Sequence, residues 1–215
     1  MTPIGDERSV TIARSDDPDA LEGLFVAGCR PGGAVVAPPH PLYGGSMHSP
    51  VVNEIAHACV KAGLASLSFE WRGVGASSGE PSGELADAEV DYRSALTHLE
   101  ETTGAPVVAC GYSFGAAAAL RVAATSPSVT ALALVAPPAP LLDGRALADF
   151  AGDALVLVGE HDTFAPPAAL EAAVAAAPRA RIVTIPEADH FFMAGVASIG
   201  REIVDWLEAR EAAGS

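Results

Sequence analysis

Two kinds of hydrophobic pattern follow one another along this chain. Ser9 to Ala13 and Leu21 to Ala27 alternate apolar and polar positions on either side of Ser15-Asp16-Asp17-Pro18-Asp19, a turn-forming run, and this predicts an antiparallel β-hairpin. Beyond it the apolar positions become continuous, in Ala34 to Ala37, Ala65 to Phe69, Val107 to Cys110, Ala131 to Ala136, Ala154 to Val158 and Ile182 to Ile185. A strand with one wet face alternates, so unbroken runs of this length predict strands covered on both faces. Between them, Val51 to Ala62, Glu84 to Thr103, Phe114 to Thr125, Pro167 to Ala177 and Ile199 to Ala212 carry helix formers, with acidic residues often early and Arg, His or Lys often late. Strands alternating with helices predict an α/β fold: a doubly wound, mostly parallel sheet of about eight strands. Such sheets bind ligands beyond the carboxyl ends of their strands, and candidate chemistry is sought there.

Composition narrows this picture. At 215 residues and 50% hydrophobic, the chain can bury one substantial core, and a single domain over residues 1–215 is expected, without internal repeat or linker. The net charge of −15, with Lys61 the only lysine, argues against nucleic-acid or anionic-membrane partners, which reward clustered Lys and Arg. Cys29, Cys59 and Cys110 cannot all pair and show no C-x-x-C spacing, so free thiols are expected rather than a disulfide framework or thiolate metal site. Met1 to Arg14 has no apolar targeting segment and no run of about 18 apolar residues occurs, which predicts a soluble, cytoplasmic protein. The oligomeric state stays open at this level, a homodimer included.

The candidate chemistry starts at Gly111-Tyr112-Ser113-Phe114-Gly115, between the strand run ending at Cys110 and the alanine-rich helical run from Ala116. A serine hydroxyl is a poor nucleophile at neutral pH, and a sharp strand-to-helix turn that presents it beside a base is the expected remedy. At positions 111 and 115 side chains are expected to clash, and the Phe114 N–H is left to face developing negative charge. For this architecture the order nucleophile, acid, histidine is expected. Asp162 lies beyond the run Ala154 to Val158, 49 residues after Ser113, and His190 lies beyond the run ending at Ile185, 28 residues later. All three therefore sit at carboxyl ends of strands. Of the six histidines, His48, His57 and His98 read as surface or helix residues, His40 belongs to another loop and His161 adjoins the acid, which leaves His190 as the base. Asp189, Glu160 and Asp153 are weaker alternatives to Asp162.

A second oxyanion donor is expected from Pro38-Pro39-His40-Pro41-Leu42-Tyr43-Gly44-Gly45, after the run ending at Ala37. Prolines have no N–H, which narrows the choice to His40, Leu42, Tyr43 or the glycines; Leu42 N–H is favoured, with Tyr43 N–H the close alternative. Trp71-Arg72-Gly73-Val74-Gly75-Ala76-Ser77-Ser78-Gly79 superficially suggests a dinucleotide fingerprint, but its third glycine comes one residue late and it follows the fourth strand. It reads as a rim loop, with Arg72 tying it to carboxylates. Neither G-x-x-x-x-G-K-[ST] nor H-E-x-x-H occurs.

These motifs, with Ala188-Asp189-His190-Phe191-Phe192, stand in the order and spacing of a small, capless α/β-hydrolase, and nearly the whole chain resembles the bacterial serine esterases related to dienelactone hydrolase. The resemblance implies an α/β-hydrolase fold without a cap domain, a Ser113, Asp162, His190 triad, no cofactor and no metal, and hydrolysis of carboxylic esters or thioesters. Two departures stand out. Relatives often carry histidine at the place of Pro38 and Asn-Phe at that of Glu70-Trp71, and dienelactone hydrolases proper use a cysteine nucleophile where this chain has Ser113. Only 17 residues, Pro137 to Asp153, lie where many such folds insert a lid, which predicts an open cleft and small-molecule, short-chain ester substrates. Tyr43, Phe164 and Phe191 are the candidate substrate contacts, with Phe192, Leu141 and Leu142 also considered. An acyl-CoA or carrier-protein thioesterase ranks second, since it needs basic residues for phosphate, and a non-catalytic binding module third.

Overall fold

The computed structural model describes residues 6–14, 19–104 and 106–214. One eight-stranded sheet runs through it: β1 Glu7–Ala13, β2 Ala20–Val26, β3 Gly33–Ala37, β4 Ala65–Phe69, β5 Val107–Tyr112, β6 Val129–Val135, β7 Asp153–Gly159 and β8 Ala180–Ile185. Their spatial order is β1-β2-β4-β3-β5-β6-β7-β8. β1 pairs antiparallel with β2, as does β2 with β4, and every later pair is parallel. The turn expected between β1 and β2 falls largely on residues 15–18, outside the described residues.

β3, β4 and β5 are buried at every position, which accounts for their unbroken apolar runs. β8 departs from that expectation. It is an edge strand, and only Ile185 of its six residues is fully buried. Helices α1 Pro50–Lys61 and α2 Leu85–Thr103 both lie over β3 and β4 without packing on each other, so they cover opposite faces. α6 Val196–Gly214 joins α1, and α3 Phe114–Ala123 joins α2, completing the two outer layers. The connection from β6 to β7 holds a 3-10 turn at Ala139–Leu141 and the short α4 Gly144–Asp149, capped by Asp143 accepting from Arg145 and Ala146 N–H, and no lid. α5 Pro167–Ala175 connects β7 to β8.

From β3 the chain turns outward to β4, then returns to lay β5 on β3's other side. The loops after β3 and β5 thus diverge from neighbouring strand ends, opening a crevice at the switch point of the sheet.

Candidate active site

Ser113 stands between β5 and α3 with φ 55° and ψ −118°, a conformation side-chain-bearing residues avoid, which lifts its Oγ out of the turn. The closeness of the elbow is measurable at its glycines. A Cβ on Gly111 would lie 2.3 Å from the Gly115 carbonyl, and one on Gly115 would lie 2.5 Å from the Ala37 and Pro38 oxygens. Only glycine fits either place.

Asp162 and His190 arrive from the next strand ends. Glu160 N–H bonds the Ile185 carbonyl and His161 N–H that of Ala188, at 3.0 and 2.8 Å, locking the loops after β7 and β8 together. A Cβ on Gly159 would collide with the Ala188 oxygen, 2.5 Å away, so this glycine permits the lock. His190 Nδ1 then lies 2.8 Å from Asp162 Oδ2, and Nε2 lies 3.0 Å from Ser113 Oγ. All three residues are buried. The second carboxylate oxygen, Oδ1, accepts the Phe164 and Ala165 N–H groups at 2.8 and 2.7 Å, so each oxygen has its own duty. An ionised Asp162 can only accept, which puts the imidazole proton on Nδ1 and leaves the Nε2 lone pair facing the serine hydroxyl.

The oxyanion side is more constrained than the sequence indicates. Phe114 N–H, at the first turn of α3, has no backbone acceptor among the described residues. Leu42 N–H, however, already donates to His40 Nδ1 at 3.2 Å, and Tyr43 N–H donates to the His40 carbonyl at 3.1 Å. Leu42 or Tyr43 can serve as the second oxyanion donor only by giving up its bond, whereas the His40 N–H of the same loop has no acceptor among the described residues. Burial lowers the His40 pKa, which favours the neutral ring and keeps Nδ1 an acceptor. That ring also packs between Phe114 and Tyr43, at 4.6 Å from each.

Three supports went unread in the sequence. Trp71 Nε1–H donates to the Pro38 and Pro39 carbonyls at 3.2 and 3.0 Å, holding one end of the oxyanion loop. Buried Glu70 holds the other, accepting from Ser46 Oγ–H at 2.5 Å and Met47 N–H at 3.1 Å. Burial raises its pKa despite these bonds, with Glu22 pushing the same way and His48 opposing. Tyr112 Oη–H reaches across to the His190 carbonyl at 2.8 Å. The available signals were an acid directly following an apolar strand and a phenol inside an otherwise apolar run. Arg72, by contrast, plays its expected part: its backbone and guanidinium donate to Asp91, and Nη1 to Asp87, at 2.8 to 3.1 Å.

Among the candidate substrate contacts, Tyr43, Phe164 and Phe191 are exposed on the rim. Phe192 belongs elsewhere: it is fully buried against Tyr112, because its position in the loop points inward. Leu141 and Leu142 are half-buried against the core. A cavity of about 420 Å³ lies away from this site, between β2, β4 and α1, and includes none of the three residues. We place the chemistry at the hydrogen-bonded residues rather than in that cavity, whose lining offers no nucleophile beside a base. Among the described residues, Glu160, His161 and Glu187 are the one group whose ligand atoms converge, within 4.8 Å; all three are exposed. No described helix is long and apolar enough to cross a membrane.

Comparison with known proteins agrees with this architecture. A family model described as serine aminopeptidase, S33, matches residues 40–143, which include Ser113 but not Asp162 or His190. An uncharacterized protein of Rickettsia prowazekii is 29% identical over 150 residues, covering 66% of this chain and 63% of that protein. An alpha-beta serine hydrolase homologue from Coxiella burnetii superposes with a TM-score of 0.84 at 26% identity, over 93% of this chain and 97% of that one. A dienelactone hydrolase from Anabaena variabilis gives 0.79 at 25% identity, over 95% and 97%. An a/b serine hydrolase without lid from Xanthomonas campestris, at 24% identity, shares the fold with a TM-score of 0.82 over 95% and 94%. With its lidless β6–β7 connection and its serine at the elbow after β5, the chain has the α/β-hydrolase fold without a cap and is similar to serine hydrolases of that fold.

Proposed function

We propose that the protein is a carboxylesterase acting on short-chain esters of small, soluble alcohols through an acyl-enzyme. The observation that carries this reading is the unbroken chain from Ser113 Oγ through His190 to Asp162, at 3.0 and 2.8 Å. Ser113 Oγ attacks the ester carbonyl while His190 Nε2 takes its proton; the C–O bond to the alcohol then breaks and the same proton passes to the departing oxygen. Asp162 keeps the proton on Nδ1 in the resting state and stabilises the imidazolium. Water, deprotonated by His190, releases the acid and restores the serine. Phe114 N–H and the start of α3 face the oxyanion, and Leu42 N–H joins them if it leaves His40. A thioester would pass through the same steps. The exposed Glu160 and Glu187 near Asp189 oppose the phosphates of a coenzyme-A thioester, so the neutral ester is the preferred substrate class.

A fluorophosphonate probe tests this directly. It should add once, at Ser113, with Ser113→Ala abolishing both labelling and ester turnover while the circular-dichroism spectrum stays native. Labelling elsewhere, or turnover retained by Ser113→Ala, would refute the proposal.

A further inference from the structure

Every large apolar side chain that the described residues leave exposed stands on one rim: Leu42 at 57%, Tyr43 at 87%, Phe164 at 57%, Phe191 at 61% and Met193 at 87%. Scattered surface apolar residues need no explanation, but such a gathering around a nucleophile marks a surface meant to be covered. The five divide by origin. Leu42 and Tyr43 belong to the loop after β3, beside the oxyanion donors, whereas Phe164, Phe191 and Met193 belong to the loops after β7 and β8, beside the base.

The second group has a defined place relative to the reaction. The ring of Phe164 lies 4.9 Å from the His190 imidazole and that of Phe191 lies 5.6 Å from it, with the two phenyl rings 6.5 Å apart and inclined at 75°. Their backbones are pinned as well: Phe164 N–H by Asp162 Oδ1 at 2.8 Å, and Phe191 N–H by Asp189 Oδ1 at 3.1 Å. These are pre-positioned surfaces, so covering them costs little ordering. His190 must return its proton to the leaving oxygen, so that oxygen comes within hydrogen-bond reach of Nε2, and its substituent then meets the two rings.

Resting on the esterase reading, we infer that Phe164 and Phe191 form an aryl subsite for the leaving alcohol, so that esters of arylmethyl alcohols and phenols are the substrates selected. Two phenyl rings at a steep mutual angle offer a third ring both a face and an edge, an arrangement a saturated ring of similar size cannot exploit. The Asp189 carboxylate, which accepts the Phe191 N–H, disfavours an anionic leaving group.

The test compares benzyl acetate with cyclohexylmethyl acetate, which share the acyl group and nearly the same leaving-group size. The wild type should favour the benzyl ester in kcat/KM by about tenfold. Phe164→Leu with Phe191→Leu keeps apolar bulk but removes both rings, and should bring the ratio close to one. A wild-type ratio near one, or a ratio unchanged in the double variant, overturns the subsite while fluorophosphonate labelling of Ser113 still upholds the esterase reading. Sedimentation analysis covers the other occupant: a stable dimer whose hydrogen exchange is protected across 191–193 would show a second copy on this rim and also overturn the inference. Absence of labelling in the wild type would instead fail the esterase reading beneath it.

Discussion

Asp162→Asn tests the tautomer argument, because the structure dictates how the new amide must sit. Asp162 Oδ1 accepts two N–H groups, from Phe164 and Ala165, at 2.8 and 2.7 Å. Only an oxygen can take that place, since turning the amide nitrogen there would strand two buried donors at about 1–3 kcal/mol each. The NH₂ group therefore replaces Oδ2, 2.8 Å from His190 Nδ1, and as a donor it demands the Nδ1 lone pair. The imidazole proton moves to Nε2, which then donates to Ser113 Oγ, 3.0 Å away, instead of accepting from it. Ser113 keeps its place and loses its base. In the serine proteases this exchange lowers kcat about 10⁴-fold, equivalent to about 5 kcal/mol of transition-state stabilisation, and a similar loss is expected here. Steady-state hydrolysis of a neutral acetate ester measures it, with thermal denaturation confirming a native fold. A native-like Asp162→Asn variant turning over within tenfold of wild type would refute the assignment of both tautomer and acid.

Three further outcomes follow from the supports. Ser113→Gly should be more stable than Ser113→Ala by about 1 kcal/mol, since glycine accepts the φ of 55° that alanine resists; equal melting temperatures would mean the elbow stores no strain. Tyr112→Phe leaves the His190 carbonyl without its 2.8 Å donor and should cost about 1–3 kcal/mol in urea denaturation, with kcat falling and KM little changed as His190 loosens. Glu70 has a folded pKa raised by burial, so its protonated form suits the fold and its contribution to stability is lost as pH rises through that pKa. Glu70→Gln should accordingly melt above wild type at pH 8, the gap closing as pH falls through the carboxylate range; a gap that widens on acidification would reverse this reading.

How much was legible in the sequence follows from which interactions are local. Alternation located β1 and β2 and continuous apolar runs the six strands after them, because burial between two helical layers excludes polar side chains at nearly every position of β3, β4 and β5. β8 was legible as a strand but not as an edge, since Ala180–Ile185 carries apolar residues that the sheet order leaves half exposed. The elbow was readable for a related reason: Gly111, Ser113 and Gly115 are set by clashes within one tight turn and the β3 strand end.

By itself, then, the chain's pattern determined the elements, their alternation and the strand ends that carry Ser113, Asp162 and His190. Tertiary structure alone decided what those ends meet. Glu70 with Ser46, Trp71 with the Pro38 and Pro39 carbonyls, and Tyr112 with the His190 carbonyl join residues 24, 33, 32 and 78 positions apart. That Leu42 N–H turns to His40 Nδ1, on a ring packed against Phe114, is likewise visible only in the folded chain. Periodicity records burial, which each residue experiences separately; hydrogen-bond partners are a property of pairs, and the pairs exist only once the sheet has brought its strand ends together.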